Sequence, residues 1–421
     1  MNKSTEKEQL WSSQFILICI CTLLFGICMQ MLNSNLAPFA EDTFQSSTIG
    51  GYLTTVFTIG SIIMAFFSGR LTDVKGRRNC LIIGSLLFGL PTFACAIWPT
   101  VPVSLTVRFL EGIGKGIYVV AASAVVADII PKSRMSEGMG YYGLSTTVTM
   151  AFGPMLALAL TASGNYAPMF IVCAVCFSSV SVISLALTYE KKQEYQTKRE
   201  SDRQRDAAIN QAMSEQYPGV WKLIEKKAIL PSLNFTIAFA GYSAIVIFIT
   251  AYAKTVLELP NMKVSLFYTV AAAAIFVVRL LAGKIADRRG AVIVLIPAHI
   301  CIIAMFLILI FFAKEHYWMF LLSGVLYGMG NAAMLPTLQA VAVVDSPAGR
   351  NGTASATFMF MQDFGMLIAS AVFGPIIDSA AIPADGYHMV FYVSIAILIF
   401  SGVMSTVCFN NKARAKRKVK I

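Results

Sequence analysis

The chain has 421 residues, 57% hydrophobic and 13% charged, with a formal net charge of +11 from 33 Lys and Arg against 22 Asp and Glu. A soluble domain carries about 25% charged residues, so this composition excludes a water-soluble fold and calls for lipid as the main solvent. The nine cysteines lie almost entirely in apolar runs, and three histidines (His299, His316, His388) cannot build a His-based metal or catalytic cluster. Cys173 and Cys176 form a CxxC in mid-run with no second pair and no histidine nearby, so they read as small apolar residues.

Residues 1–9 are polar and of mixed charge, and the apolar run that follows lacks a small-residue cleavage site, which predicts a retained first span. Runs long enough to cross about 30 Å of hydrocarbon lie at 14–37, 50–69, 79–98, 103–130, 139–162 and 166–188. A polar segment at 189–227 follows, with a break at Pro218-Gly219 and an amphipathic stretch around Trp221 to Ile224; it reads as a linker at the membrane surface. Six more runs lie at 228–252, 264–286, 291–313, 317–344, 352–377 and 388–409. The expected fold class is an all-α membrane protein of twelve transmembrane helices in two pseudo-symmetric six-helix bundles. The expected domains are an N-terminal bundle over 1–188, a cytoplasmic linker over 189–227 and a C-terminal bundle with a basic tail over 228–421.

Of the 33 Lys and Arg, only Lys254, Lys263 and Lys314 fall in the odd-to-even loops, while Arg108, Lys115 and Arg279 lie well inside spans. Positive residues are retained on the cytoplasmic side, which predicts cytoplasmic termini in a multi-pass protein of the cell membrane. The basic tail over 412–420 follows a span directly and points to anionic lipid headgroups, not nucleic acid.

The two halves repeat. Gly69-Arg70-Leu71-Thr72-Asp73-Val74-Lys75-Gly76 recurs as Gly283-Lys284-Ile285-Ala286-Asp287-Arg288-Arg289-Gly290, at an offset of 214. Gly112, Gly114, Pro131 and Arg134 recur as Gly328, Gly330, Pro347 and Arg350, at an offset of 216. Both copies keep direction, as in parallel repeats related by an axis along the membrane normal.

Gly69, Leu71, Asp73, Gly76, Arg77 and Arg78, in the turn between helices 2 and 3, match the signature loop Gly-x-Leu-x-Asp-x-x-Gly-Arg-Arg, and by this the chain resembles the major facilitator superfamily. The resemblance covers essentially the whole chain. It implies a cytoplasmic latch in which Asp73 and Arg77, with Asp128 at the inner end of helix 4, hold the halves together in one state. The second copy (Gly283, Asp287, Gly290) has Ala291 where Arg is expected, so its latch should be weaker.

Helix 4 carries Arg108, Glu111 and Lys115 at i, i+3 and i+7, on one face. Each charge would cost about 2.5 to 3.5 kcal/mol at the bilayer centre, so the stripe must meet a wet cavity or a partner. Lys115 lies about 18 Å deep. Arg108 and Gly112 look like the superfamily's helix 4 motif Arg-x-x-x-Gly, associated with proton coupling; Glu111 is then either a protonatable carboxylate or half of a structural bridge to Lys115. In helix 5, Gly143 and Gly153-Pro154 resemble the bending motif of drug-and-proton antiporters, although Ala157 and Leu158 stand where a glycine pair is usual.

Helix 11 carries Gln362-Asp363, about 18 Å from its inner end, with no basic residue within one turn. Such an acid is either a coupling site, protonated in one state, or a static hydrogen-bonded group. Gln30, Asn33 and Asn35 in helix 1, Tyr242 in helix 7, and Tyr327 and Asn331 in helix 10 are the other polar candidates for a central cavity; Asn331 aligns with Lys115 across the repeat.

The resemblance implies a secondary transporter and, through its helix 4 and helix 5 motifs, proton-coupled efflux of a small amphipathic or anionic molecule by alternating access, with uptake symport of an organic anion as the alternative. A lipid flippase or membrane enzyme is less favoured, since no nucleophile and base cluster and no ATP motif appears. The expected partners are a small-molecule substrate, protons and membrane lipids, with no nucleic acid, no cofactor and no metal, for a chain acting as a monomer.

Overall fold

A backbone in hydrocarbon must satisfy its own hydrogen bonds, so each apolar run is committed to helix. The structure, a computed structural model, describes residues 10–131, 134–191, 224–344, 346 and 350–418; at some helical positions, including Gly69, Asp73 and Asp287, it describes the backbone only. The described residues form twelve α-helices: α1 (Ser13–Phe44), α2 (Ser47–Lys75), α3 (Arg77–Ile97), α4 (Val101–Ile129), α5 (Met135–Leu160), α6 (Ala167–Leu185), α7 (Lys226–Thr255), α8 (Asn261–Arg289), α9 (Ala291–Phe311), α10 (Tyr317–Val344), α11 (Asn351–Ser379) and α12 (Pro383–Lys418). All twelve contain stretches long and apolar enough to span a membrane, and no strand occurs among the described residues.

Several helices outrun their apolar cores. α1 continues through the polar pair Glu41-Asp42 and stops at Gln45, whose φ of 54° is left-handed. The turns α2–α3 and α8–α9 each consist of one glycine, Gly76 (φ 88°) and Gly290 (φ 98°), a backbone region closed to most L side chains. These two are equivalent under the 214 offset, so both halves reverse by one device.

Contacts group the chain into two compact units, and α1, α2 and α5 contribute to both. The first comprises Met1–Gln30, Ile59–Gly153 and Ala167–Gln211. In it α3 packs on α4 and α6. Phe25 stacks on Tyr118 at 3.8 Å and meets Phe88 and Phe177 edge-on. Glycines set the helix spacing: a Cβ on Gly114 would lie 2.6 Å from the Gly84 carbonyl oxygen, and one on Gly60 would lie 3.3 Å from the Gly112 Cα.

The second unit comprises Met31–Thr58, Pro154–Tyr166 and Ala212–Ile421. α7 is its most enclosed helix and packs on α10, α11 and α12. Here a Cβ on Gly330 would lie 3.0 Å from the Ala298 carbonyl oxygen, and one on Gly328 would lie 2.8 Å from the Ala274 Cβ. Ala298 and Ala274 are the repeat equivalents of Gly84 and Gly60, so the same two small-residue crossings are built in each half. Buried Asn234 ties α7 to α12 by donating to the Ser401 carbonyl at 3.2 Å and accepting from Ser405 Oγ at 3.1 Å, while His299 Nε2 on α9 meets Ser401 Oγ at 3.0 Å. Every partner there is polar and paired, as a hydrocarbon interior requires.

Candidate functional site

The loop motif is assembled by helix ends. Arg77, first residue of α3, pairs with Asp128 at the end of α4 and donates to the Ala124 carbonyl at 3.1 Å. Its own N–H donates to Glu190 Oε1 at 2.7 Å, so a carboxylate from beyond α6 caps the positive end of α3. Arg78 donates to the Leu185 carbonyl at 2.6 Å, placing a cation at the negative end of α6. These contacts lie inside the first unit, where Arg77 and Asp128 join α3 to α4. At Gly69, Asp73 and Asp287 only the backbone is described; Gly283 is exposed with open space around it. The second half places its basic residue elsewhere. Buried Arg350 pairs with Glu225, which also caps α7 by accepting from the Lys227 N–H at 3.2 Å, and Arg350 donates to the Ile224 carbonyl at 3.0 Å.

On α4 the charged stripe divides. Arg108 Nη1 donates to Glu111 Oε2 at 2.6 Å, and Thr92 Oγ1 on α3 donates to Oε1 at 2.7 Å. Arg108 and Glu111 are 3% and 1% exposed, so this pair is packed inside the unit; the partner of Glu111 is Arg108 at i−3, not Lys115 at i+4. Lys115 is half-buried farther along the helix.

In the second unit Tyr327 accepts from Asn331 Nδ2 at 3.0 Å, and the rings of Tyr242 and Tyr327 meet edge-on at 6.3 Å, which brings three predicted cavity residues together on α7 and α10. Phe239 against Tyr242 (5.1 Å) and Phe267 against Tyr327 (6.3 Å) extend this into an aromatic wall. On α11, Gln362 and Asp363 are half-buried, and the Gln362 carbonyl oxygen is enclosed with no hydrogen-bond partner. In α1, Gln30 and Asn33 are half-buried, whereas Asn35 is fully buried and donates to Ser34 Oγ at 3.1 Å. In α5, Gly153 and Pro154 are buried, and a Cβ on Gly143 would meet nothing within 4 Å.

Sequence reasoning missed the polar rim where α1 turns into α2. Asp378, near the end of α11, accepts from the Ser47 and Thr48 N–H groups, each at 2.8 Å, and from Ser46 Oγ at 2.7 Å. Glu41 accepts from Ser47 Oγ at 2.5 Å, from Thr255 Oγ1 at 3.0 Å and from the Tyr387 hydroxyl. Asp42 accepts from the Tyr166 hydroxyl at 2.5 Å and from Lys254 Nζ at 3.1 Å. Burial first, and then the Asp42 carboxylate it donates to, push the Tyr166 phenol far above its usual range, so it remains a donor. Sequence offered one signal for this cluster, two adjacent acids at the end of a long apolar run.

Among proteins of known family, the Major Facilitator Superfamily profile matches residues 18–370. An uncharacterized MFS-type transporter, YfiU of Bacillus subtilis (strain 168), is 22% identical over 433 aligned residues, covering 89% of this chain and 81% of the relative. Multidrug resistance protein Stp of Mycobacterium tuberculosis is 23% identical over 397, covering 84% and 74%. Of solved structures, a D-xylose–proton symporter superposes with a TM-score of 0.73 at 16% identity, covering 93% of this chain and 96% of that one.

Proposed function

The chain belongs to the Major Facilitator Superfamily, and on that premise we propose that it is a proton-coupled exporter of a small amphipathic or anionic organic molecule, working by alternating access and not as an enzyme. The observation that carries this reading is the pair Gln362-Asp363 on α11. It puts an ionisable acid about 18 Å along a spanning helix, next to an enclosed amide oxygen that lacks a donor. A carboxylate at that depth needs a protein partner, water or a ligand to receive it, and an unsatisfied amide oxygen beside it is an acceptor for a substrate N–H or O–H. The aromatic wall of Tyr242, Tyr327 and Phe239 supplies apolar area for an amphipathic substrate. Support for the direction comes from relatives named as multidrug resistance proteins.

In this reading the protein sits in the cell membrane as a monomer with both termini in the cytoplasm. Residues 1–188 and 228–421 act as the two rocking bundles, 189–227 as their linker, and the Arg77–Asp128 group as part of the cytoplasmic latch. Asp363 carries the proton, while Arg108 and Glu111 hold α4 on α3.

The test is a pH-gradient flux assay in proteoliposomes with an amphipathic organic anion. Wild type should drive flux opposite to the proton gradient, and Asp363→Asn should bind the anion but lose the dependence on the gradient. Flux running with the protons would replace export by uptake symport; equal gradient dependence in the variant would remove Asp363 from coupling.

A further inference from the structure

α3 and α6 cross closely, and the crossing leaves a trough along one side. A Cβ on Gly89 would lie 2.8 Å from the Phe177 Cβ, and the hydroxyls of Ser85 and Ser181 share a hydrogen bond of 2.6 Å. Beside this contact the two helices wall a groove of about 470 Å³, with Leu90 and Phe93 from α3 and Val175, Ser179, Val182 and Ile183 from α6. Leu90, Phe93, Val175 and Val182 are exposed, so the groove opens away from the interior of the unit. Ser178 and Ser179 donate their hydroxyl protons to the Ala174 and Val175 carbonyls within α6, each at 2.8 Å. The wall therefore offers an occupant no hydroxyl donor.

A second hollow, of about 340 Å³, lies against Lys75, Asn79, Ile82 and Ile83. Ile82, Ile83, Leu90 and Phe93 recur at helical spacing on one face of α3. Ser181 donates to the Ile82 carbonyl at 3.4 Å, which sets the adjacent Val182 and Ile183 at the level of Ile82. The two hollows thus line up along α3. From Ile82 to Phe93 the axial rise is about 16 Å, and one leaflet supplies half of a hydrocarbon core about 30 Å thick. The apolar stretch matches a single leaflet, measured from the α2–α3 turn.

The mouth at that turn is cationic. Lys75 is exposed in the last turn of α2. Arg78 donates through Nη2 to the Leu185 carbonyl, and its enclosed Nε has no acceptor. The carboxylates beside them are spent on Arg77, Glu190 on its N–H and Asp128 on its guanidinium.

We propose that the α3–α6 groove binds one anionic phospholipid, its headgroup at Lys75 and Arg78 and an acyl chain along Ile82, Leu90 and Phe93 against α6. The donor-free apolar wall selects a hydrocarbon chain, its length selects one leaflet, and the two cations select a negative headgroup. In the orientation proposed from the basic loops this is the cytoplasmic leaflet, where anionic lipid attracts Lys and Arg next to a span. The site belongs to the first unit alone and uses none of the residues assigned above to the substrate.

The experiment is native mass spectrometry of the full chain, released from detergent with equimolar dioleoyl phosphatidylglycerol and dioleoyl phosphatidylcholine, with bound lipid counted per chain. Wild type should retain one lipid, predominantly phosphatidylglycerol. Lys75→Gln, a change at an exposed side chain, should reduce that preference about fivefold, the worth of one cation at an anionic surface. Ser179→Phe should fill the groove and lose the retained lipid whatever its headgroup. Glycerol 1-phosphate, a headgroup without chains, should fail to displace the lipid; displacement would make this an anion site and overturn the lipid reading. Equal retention of the two lipids by wild type, or a preference unchanged in both variants, would mean ordinary annular contact and sink the site. A wild-type species of two chains that Ser179→Phe reduces to one would assign the groove to a second copy and sink it equally.

Discussion

Arg108 and Glu111, one turn apart on α4, form an ion pair of 2.6 Å in which both side chains are buried. Neither charge can be removed alone without stranding the other in a medium where it is poorly solvated. Glu111→Ala should therefore lower stability by about 3–5 kcal/mol, and Thr92→Val, which removes one neutral donor, by about 1 kcal/mol. Thermal unfolding in detergent separates the two. Equal effects would mean that Arg108 finds another counter-charge when Glu111 is lost.

The glycines give a second set of expectations because their surroundings differ. A Cβ on Gly114 would press on the backbone of α3, at the Gly84 oxygen and the Phe88 nitrogen, so Gly114→Ala should cost about 1–3 kcal/mol. A Cβ on Gly143 meets open space, so Gly143→Ala should be neutral or stabilise α5 by up to about 1 kcal/mol. Melting temperatures of the two variants should move in opposite directions, or one should not move at all.

At the start of α7, Arg350 and Glu225 are 2% and 3% exposed and are linked to each other. Arg350→Met should destabilise by about 3–5 kcal/mol, and the double change with Glu225→Gln should recover a large part of the loss. A double-mutant cycle on expression level and unfolding temperature reads this coupling; strict additivity would show that the pair is not a unit.

Gln45 occupies a left-handed backbone at φ 54°, where a side chain costs about 1–2 kcal/mol relative to glycine. Gln45→Gly should stabilise the α1–α2 turn by about 1 kcal/mol, at the expense of the Gln45 bond to the Asp42 carbonyl at 3.3 Å. A fall in melting temperature would indicate that this bond outweighs the backbone strain.

Much of the fold was legible because hydropathy is a local signal. Twelve apolar runs became twelve helices, and the paired glycines Gly76 and Gly290 turned out to hold equivalent left-handed turns. Helix ends were less legible: α1 reaches Phe44, past the apolar limit at residue 37, because a helix can carry Glu41 and Asp42 once hydroxyls and Lys254 receive them. The stripe on α4 was visible, but its internal pairing was not, since i+3 and i+4 spacings both suit an ion pair and only Thr92 on α3 decides the side to which the carboxylate turns. Glu190, Glu225 and Asp378 were invisible for a different reason. Their partners lie 113, 125 and 331 residues away, and a lone acid near a helix end has no periodicity to announce what it will meet.

Glu190 and Glu225 stand on either side of the long polar segment, one seated on α3 and the other on Arg350. Each half of the polypeptide therefore owns its attachment before the intervening stretch is reached. A protein made as two separately translated pieces, parted anywhere between residues 192 and 223, should keep both seats filled, so split-gene complementation ought to succeed at that junction and fail if the break removes either glutamate.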